Sequence, residues 1–296
     1  MDNPRFFRPR TARWLLAVAA AVSTSLMFST PAHAAAPTGR YVALGDSYTA
    51  GPLIPNQVDL NCLRSDHNYP TLASASIHSS SFVDVSCSGA TTNDVLNPGS
   101  GELGITVPAQ ISAVTSSTAL VSVGIGGNDI GFSDIVETCA EDSLSSPFGS
   151  PCKNRYTAGG VDQLAARVNA TAPKVAAVLS AVHAAAPGAR VLVVGYTAVL
   201  PDTGLGCWPV VPIAYGDVSY LRGVEKALNS MLASTAAANG ATYVDVYKPS
   251  IGHDSCKSSS TRWTEGLFPG SSAAPFHPNA TGEQGMSQAV LAALAA

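Results

Sequence analysis

Ser47 follows a short apolar run, Arg40–Leu44, in the tetrad Gly45-Asp46-Ser47-Tyr48, and His277 sits near the C-terminus in Ala274-Pro275-Phe276-His277-Pro278. A serine hydroxyl becomes a useful nucleophile only when a base within hydrogen-bond reach takes its proton, and histidine is the commonest such base. The pair therefore points to acyl transfer, with Ser47 attacking an ester carbonyl and His277 returning the proton to the leaving alcohol. The tetrahedral intermediate needs hydrogen-bond donors already aimed at its oxyanion. Gly89, in Ser86-Cys87-Ser88-Gly89-Ala90-Thr91-Thr92, offers a backbone N–H, and Asn128, in Gly126-Gly127-Asn128-Asp129, offers a side-chain amide. The N–H of Ser47 itself is a third donor. Each feature alone has a plainer reading: serines after strands cap helices, glycines after strands make turns, and a histidine before a helix is usually structural. Asp46 and Asp129 read as braces for their turns.

Taken together and in this order, the blocks resemble those of the SGNH (GDSL) hydrolase family. That resemblance spans essentially the whole chain after the first 34 residues. It implies Ser47 as nucleophile, His277 as base, and Ser47, Gly89 and Asn128 as the oxyanion hole. The family's last block is Asp-x-x-His-Pro, and here Ala274 occupies the acid's position. Orientation of the imidazole then falls to a main-chain carbonyl from residues 274–276, Ala274 being the expected one, with Asp254 and Glu265 as alternative acids from elsewhere. Within the family the long loops, six cysteines and acid-less block are most similar to the secreted actinobacterial lipase and phospholipase A branch. This implies acyl esters of glycerol as substrates, with no metal or other cofactor. A phospholipase A activity and a polysaccharide acetylesterase are the enzymatic alternatives, and an inactive SGNH-fold binding protein is the non-enzymatic one.

Other motifs fail. The α/β-hydrolase elbow, Gly-x-Ser-x-Gly, would need glycine where Thr49 stands, and a dinucleotide loop counted from Gly124 meets Asp129 at its third glycine.

The elements needed to position these groups are also visible. Arg40–Leu44, Ser81–Ser86, Ala119–Ile125, Arg190–Gly195 and Thr242–Tyr247 are short and nearly continuously apolar, as strands covered on both faces are. Helices are predicted at Pro70–Ile77, Pro108–Val114, Val161–Ala186, Val218–Ala238 and Thr281–Leu294, the last opening with Thr281 and Gln284 in capping-box spacing. The alternation predicts an α/β fold: a three-layer α/β/α domain with a mainly parallel five-stranded sheet, flavodoxin-like, in the manner of SGNH hydrolases. Active sites in such sheets lie beyond the carboxyl ends of the strands, where the Ser47, Gly89 and Asn128 turns fall. Segments 52–69, 134–158 and 200–217 read as irregular walls of a cleft. Their apolar residues Leu53, Ile54, Trp208, Val210, Val211, Pro212 and Ile213 are candidates for an acyl-binding surface.

Composition limits the classes. Arg5, Arg8, Arg10 and Arg13 precede an apolar stretch from Trp14 to about Phe28, and Ala32-His33-Ala34 offers a cleavage site, so residues 1–34 read as a signal peptide. Residues 35–296 are then one domain, secreted and extracellular. The chain carries net charge −4, and without the leader 12 basic and 19 acidic residues remain. No basic cluster suggests nucleic acid as a partner. The expected partners are a small-molecule or lipid ester and transiently a lipid surface, and the chain is expected to be a monomer. Cys62, Cys87, Cys139, Cys152, Cys207 and Cys256 all follow the leader, and an even count in an exported chain reads as disulfides. Six cysteines allow 15 pairings; neighbour pairing, which closes the shortest loops, is the expectation.

Overall fold

The computed structural model describes residues 1–2 and 39–296; the expected leader, apart from its first two residues, lies outside the described part. Five strands, β1 (Arg40–Gly45), β2 (Ser81–Asp84), β3 (Thr118–Gly124), β4 (Arg190–Val194) and β5 (Thr242–Val244), form one sheet in the order β2-β1-β3-β4-β5. Every pairing is parallel. This is the flavodoxin-like order, with its reversal of direction at β1.

Side chains alternate between the two faces of a strand, and the apolar runs divide accordingly. Val42, Leu44, Val121, Val123, Val191 and Val193 face a core built with α6 (Gln163–Ala185) and α7 (Val218–Ala238). Tyr41, Ala43, Leu120, Leu192, Val194 and Val244 face a second core built with α2 (Tyr69–Ile77) and α9 (Ala280–Ala295). Burial of a Val or Leu side chain contributes ~1.5–3 kcal/mol, so near-continuous apolar strands are what a doubly covered sheet requires.

Strand starts were well placed by sequence, whereas the strands end one to three residues from their expected ends. The expected helix Pro108–Val114 is a 3-10 turn, Gln110–Ala113, and its work is done by one side chain. Gln110 accepts from Gly45 N–H at 2.8 Å and donates to Gly45 C=O at 2.9 Å, which clamps the end of β1 immediately before Ser47. Segment 134–158 is not irregular: α4 (Phe132–Ser145) and α5 (Pro151–Tyr156) occupy most of it. The cap of α9 is Asn279 rather than Thr281, its side chain accepting from the N–H groups of Thr281 and Gly282. The disulfides join Cys62 to Cys87, Cys139 to Cys152, and Cys207 to Cys256, as neighbour pairing expects.

Candidate active site

Ser47 begins a single helical turn, α1 (Ser47–Ala50), and Asp46 caps it by accepting from Tyr48 N–H at 3.0 Å. Gly45 must be glycine, because a Cβ there would lie 2.2 Å from Thr49 Oγ1 and 2.7 Å from Gly124 O. The tight packing of strand end against turn fixes the direction in which Ser47 leaves the sheet. The Ser47 hydroxyl and His277 Nε2 are 2.7 Å apart, which brings the two residues of the sequence reading together from positions 230 residues apart.

The imidazole is oriented by a carbonyl, but not by that of Ala274. His277 Nδ1 lies 2.8 Å from Pro275 O, so Nδ1 carries the proton and Nε2 is left to accept from the serine. Phe276, at φ 60°, turns the chain left-handed and brings the Pro275 carbonyl to the Nδ1 edge of the ring. Ala274 O is occupied instead by His277 N–H at 3.2 Å, and Phe276 O by the Tyr48 hydroxyl at 2.6 Å. All three carbonyls of 274–276 therefore have assigned partners. The alternative acids are engaged elsewhere. Glu265 accepts from Asn279 Nδ2 and Gly270 N–H and pairs with Arg262, while Asp254 accepts from Cys256 N–H. Glu265 holds the histidine through the backbone, its own N–H reaching His277 O at 2.9 Å. Burial holds the His277 imidazole below the usual histidine range, with the Pro275 carbonyl opposing this in part.

The three donor positions lie at the carboxyl ends of adjacent strands β2, β1 and β3. Cys87 N–H donates to Gly45 O at 3.1 Å, and Asn128 Nδ2 donates to Ala90 O at 2.9 Å, so the turns carrying Gly89, Ser47 and Asn128 are tied to one another. Gly89 adopts φ 77°, a conformation that suits glycine, and is exposed. Among the described residues, the N–H groups of Ser47 and Gly89 have no protein acceptor. Asp129 braces its turn by accepting from the N–H and hydroxyl of Thr92.

Tyr196, at the exit of β4, is a site residue that sequence reasoning missed. Its hydroxyl donates to Asp46 Oδ2 at 2.5 Å and accepts from Gly127 N–H at 2.7 Å, linking the serine turn to the Asn128 turn. Asp46 is 1% exposed. Burial pushes its carboxyl up to about 7, against the pull of the Tyr196 and Tyr48 hydrogen bonds.

Beside Ser47 and Asn128 opens a cavity. Most of its wall is apolar: Phe132, Ile135 and Val136 from α4, Val199, Leu200 and Ile213 from loops, and Leu221, Val224 and Leu228 from α7, with Glu225 of α7 among them. Of the seven loop residues expected to line an acyl cleft, Ile213 alone lines this cavity. Ile54 and Val211 are buried in packing, and Leu53 and Val210 are exposed. Among the described residues no group of three His, Cys, Asp or Glu side chains is disposed to hold a metal.

Residues 43–284 match the family described as GDSL-like lipase/acylhydrolase. The chain is 39% identical to Lipase 2 of Streptomyces coelicolor, over 95% of this chain and 96% of the relative. It is 35% identical to Lipase 1 of the same organism, over 94% of this chain and 96% of the relative. Among solved structures it is similar to phospholipase A1 from Streptomyces albidoflavus, with TM-score 0.72 and 34% identity over 87% of this chain and 100% of that one. It is also similar to the extracellular lipase of Streptomyces rimosus, with TM-score 0.69 and 31% identity over 86% of this chain and 99% of that one.

Proposed function

The chain belongs to the GDSL-like lipase/acylhydrolase family and is an ester hydrolase, and from that premise we propose that it is an exported enzyme cleaving long-chain acyl esters of glycerol through a Ser47–His277 dyad. His277 Nε2 takes the Ser47 proton as Oγ attacks the ester carbonyl carbon. The charge on the former carbonyl oxygen is received by the N–H groups of Ser47 and Gly89 and by the Asn128 amide. Collapse expels the alcohol, which takes the proton from His277 and leaves an acyl-enzyme on Ser47. A water molecule, deprotonated by His277, then attacks that ester, and Ser47 departs with its proton restored. The Pro275 carbonyl supplies a dipole rather than a full charge to the imidazolium, so orientation of the ring, more than charge stabilisation, is the contribution asked of it.

The observation that carries this reading is the cavity opening on Ser47, whose largely apolar lining suits an alkyl chain. A second groove beside His277 includes Leu267, and the adjacent Phe268 is 79% exposed, an arrangement suited to contact with a lipid surface. A phospholipase A activity is favoured as the second reading by the likeness to the Streptomyces albidoflavus enzyme. Export after removal of residues 1–34 agrees with the three disulfides.

The test is a turnover profile on p-nitrophenyl acetate, a long-chain p-nitrophenyl ester, triacylglycerol and phosphatidylcholine, with Ser47→Ala and His277→Ala in parallel. Preference for long-chain esters, with both variants reduced by at least ~10³, is the expected result. Preference for acetate, or activity surviving both substitutions, would overturn the proposal.

A further inference from the structure

The wall of the acyl cavity contains a carboxyl that the reaction does not use. Glu225 projects from α7 among Leu221, Val224 and Leu228 and lines the same cavity as Ser47. Its Oε1 accepts from Val199 N–H at 3.0 Å, and among the described residues Oε2 has no hydrogen-bond partner. The neighbouring Lys226 turns away to Asp202 at 2.5 Å. An unpaired carboxyl in an apolar wall costs little while neutral and much when ionised.

We propose that Glu225 is a specificity-determining residue that admits long acyl chains to the cavity in its protonated form and disfavours them once ionised, leaving short esters unaffected. An alkyl chain in the cavity would exclude solvent from Oε2, so binding of the chain and retention of the proton are linked. An acetyl group fills only the Ser47 end and leaves Oε2 open to solvent.

Burial pushes the Glu225 carboxyl up to about 8. The charged and titratable groups around it are Lys226 on its own helix, Asp202 and Asp254 on loops, Tyr247 on the short helix α8 (Tyr247–Ser250), and Tyr48 on α1. The two tyrosines are held well above their ordinary range by burial and stay neutral through this interval. Asp202 and Lys226 pair with each other and contribute opposed charges. Asp46 also borders the cavity, but it is bound to Tyr48 and Tyr196 at the serine end, where its titration acts on every ester alike.

The sign follows. A carboxyl raised in the free enzyme, and raised further by an occupying chain, makes long-chain affinity highest below its free pKa and weaker as pH rises through it. Between pH 7 and pH 9 the neutral fraction of a group titrating near 8 falls ~10-fold, which sets the expected loss in the ratio of long-chain to acetyl kcat/KM.

The experiment measures kcat/KM for p-nitrophenyl acetate and a long-chain p-nitrophenyl ester, blanks subtracted, across this interval for the parent enzyme and for Glu225→Gln. Glutamine keeps an acceptor for Val199 N–H and cannot ionise, and acetate turnover reports whether the variant is folded. A ratio that falls ~10-fold in the parent and stays level in Glu225→Gln is the expected result. A level ratio in the parent, or a fall that persists in Glu225→Gln, would overturn the proposal. The inference depends on the Ser47 acyl-enzyme reading. Failure of that reading would be distinguished by acetate turnover surviving in Ser47→Ala, whereas failure of the Glu225 role leaves Ser47-dependent turnover intact.

Discussion

Replacing Tyr196 by phenylalanine removes one oxygen from the centre of the site and nothing from its packing. That oxygen makes two buried hydrogen bonds, one to the Asp46 carboxylate and one from Gly127 N–H. A hydrogen bond to an ionised group contributes ~1.5–3 kcal/mol, and a buried N–H left without a partner costs ~1–3 kcal/mol. Protonation of Asp46, whose carboxyl is already pushed up to about 7, relieves part of the first loss. A net destabilisation of about 3 kcal/mol is the central expectation, equivalent to a fall of ~6–12 °C in melting temperature for a chain of this size. The same oxygen ties the serine turn to the Asn128 turn, so kcat on a short soluble ester should drop ~10–100-fold. The Tyr196 bond favours the ionised form of Asp46, so its contribution is fully present above the carboxyl's folded pKa and diminishes as pH falls through it. The gap in melting temperature should accordingly be wider at about pH 8.5 than at about pH 5.5. Thermal unfolding at both pH values and p-nitrophenyl butyrate turnover provide the data. A variant melting within ~2 °C of its parent, with unchanged kcat, would refute the reasoning from this network.

Asn128→Ala removes one oxyanion donor and should lower kcat by ~10²–10³ with little change in KM, measured by steady-state kinetics on a soluble ester. His277 must be neutral to accept the Ser47 proton and is held low by burial, so kcat/KM should rise through an acid limb with a midpoint below the ordinary ~6.5 of histidine. That limb should persist in Asp46→Asn, and a midpoint above ~7 in both proteins would contradict the assignment. Leu228→Trp adds bulk to the cavity wall and should cut long-chain turnover by at least ~10-fold while acetate stays within ~3-fold, as read from the same pair of p-nitrophenyl esters.

The sheet was legible because a strand covered on both faces must be apolar at every position, and β1, β3 and β4 are nearly so. The candidate site was legible because Ser47, Gly89 and Asn128 each occupy a polar, glycine-bearing turn directly after a strand of the sheet. Which carbonyl orients His277 was not legible. It depends on the left-handed turn at Phe276, a residue type that does not advertise such a conformation. An acyl-binding surface was expected on loops, whereas the apolar cavity beside Ser47 is walled mainly by α4 and α7. Phe132, Ile135, Val136 and Cys139 carry the helical spacing that could have revealed α4. Leu221, Val224 and Leu228 have the same periodicity, but apolar residues facing a cavity and those facing a core are identical in sequence. Tyr196 and Gln110 were missed because their partners, Asp46, Gly127 and Gly45, are remote in the chain. The one available signal was the position of Tyr196 at the carboxyl end of a central strand, where ligand sites gather.

Whether Ser47 carries the acyl group is decided by treating the folded enzyme with a long-chain alkyl p-nitrophenyl phosphonate and locating the adduct by peptide mass spectrometry. One phosphonyl group per chain, on Ser47, is expected, with p-nitrophenol released in equal amount and the reaction strongly slowed in His277→Ala. Labelling of a different residue with loss of activity, or full labelling of Ser47 with activity retained, would contradict that assignment.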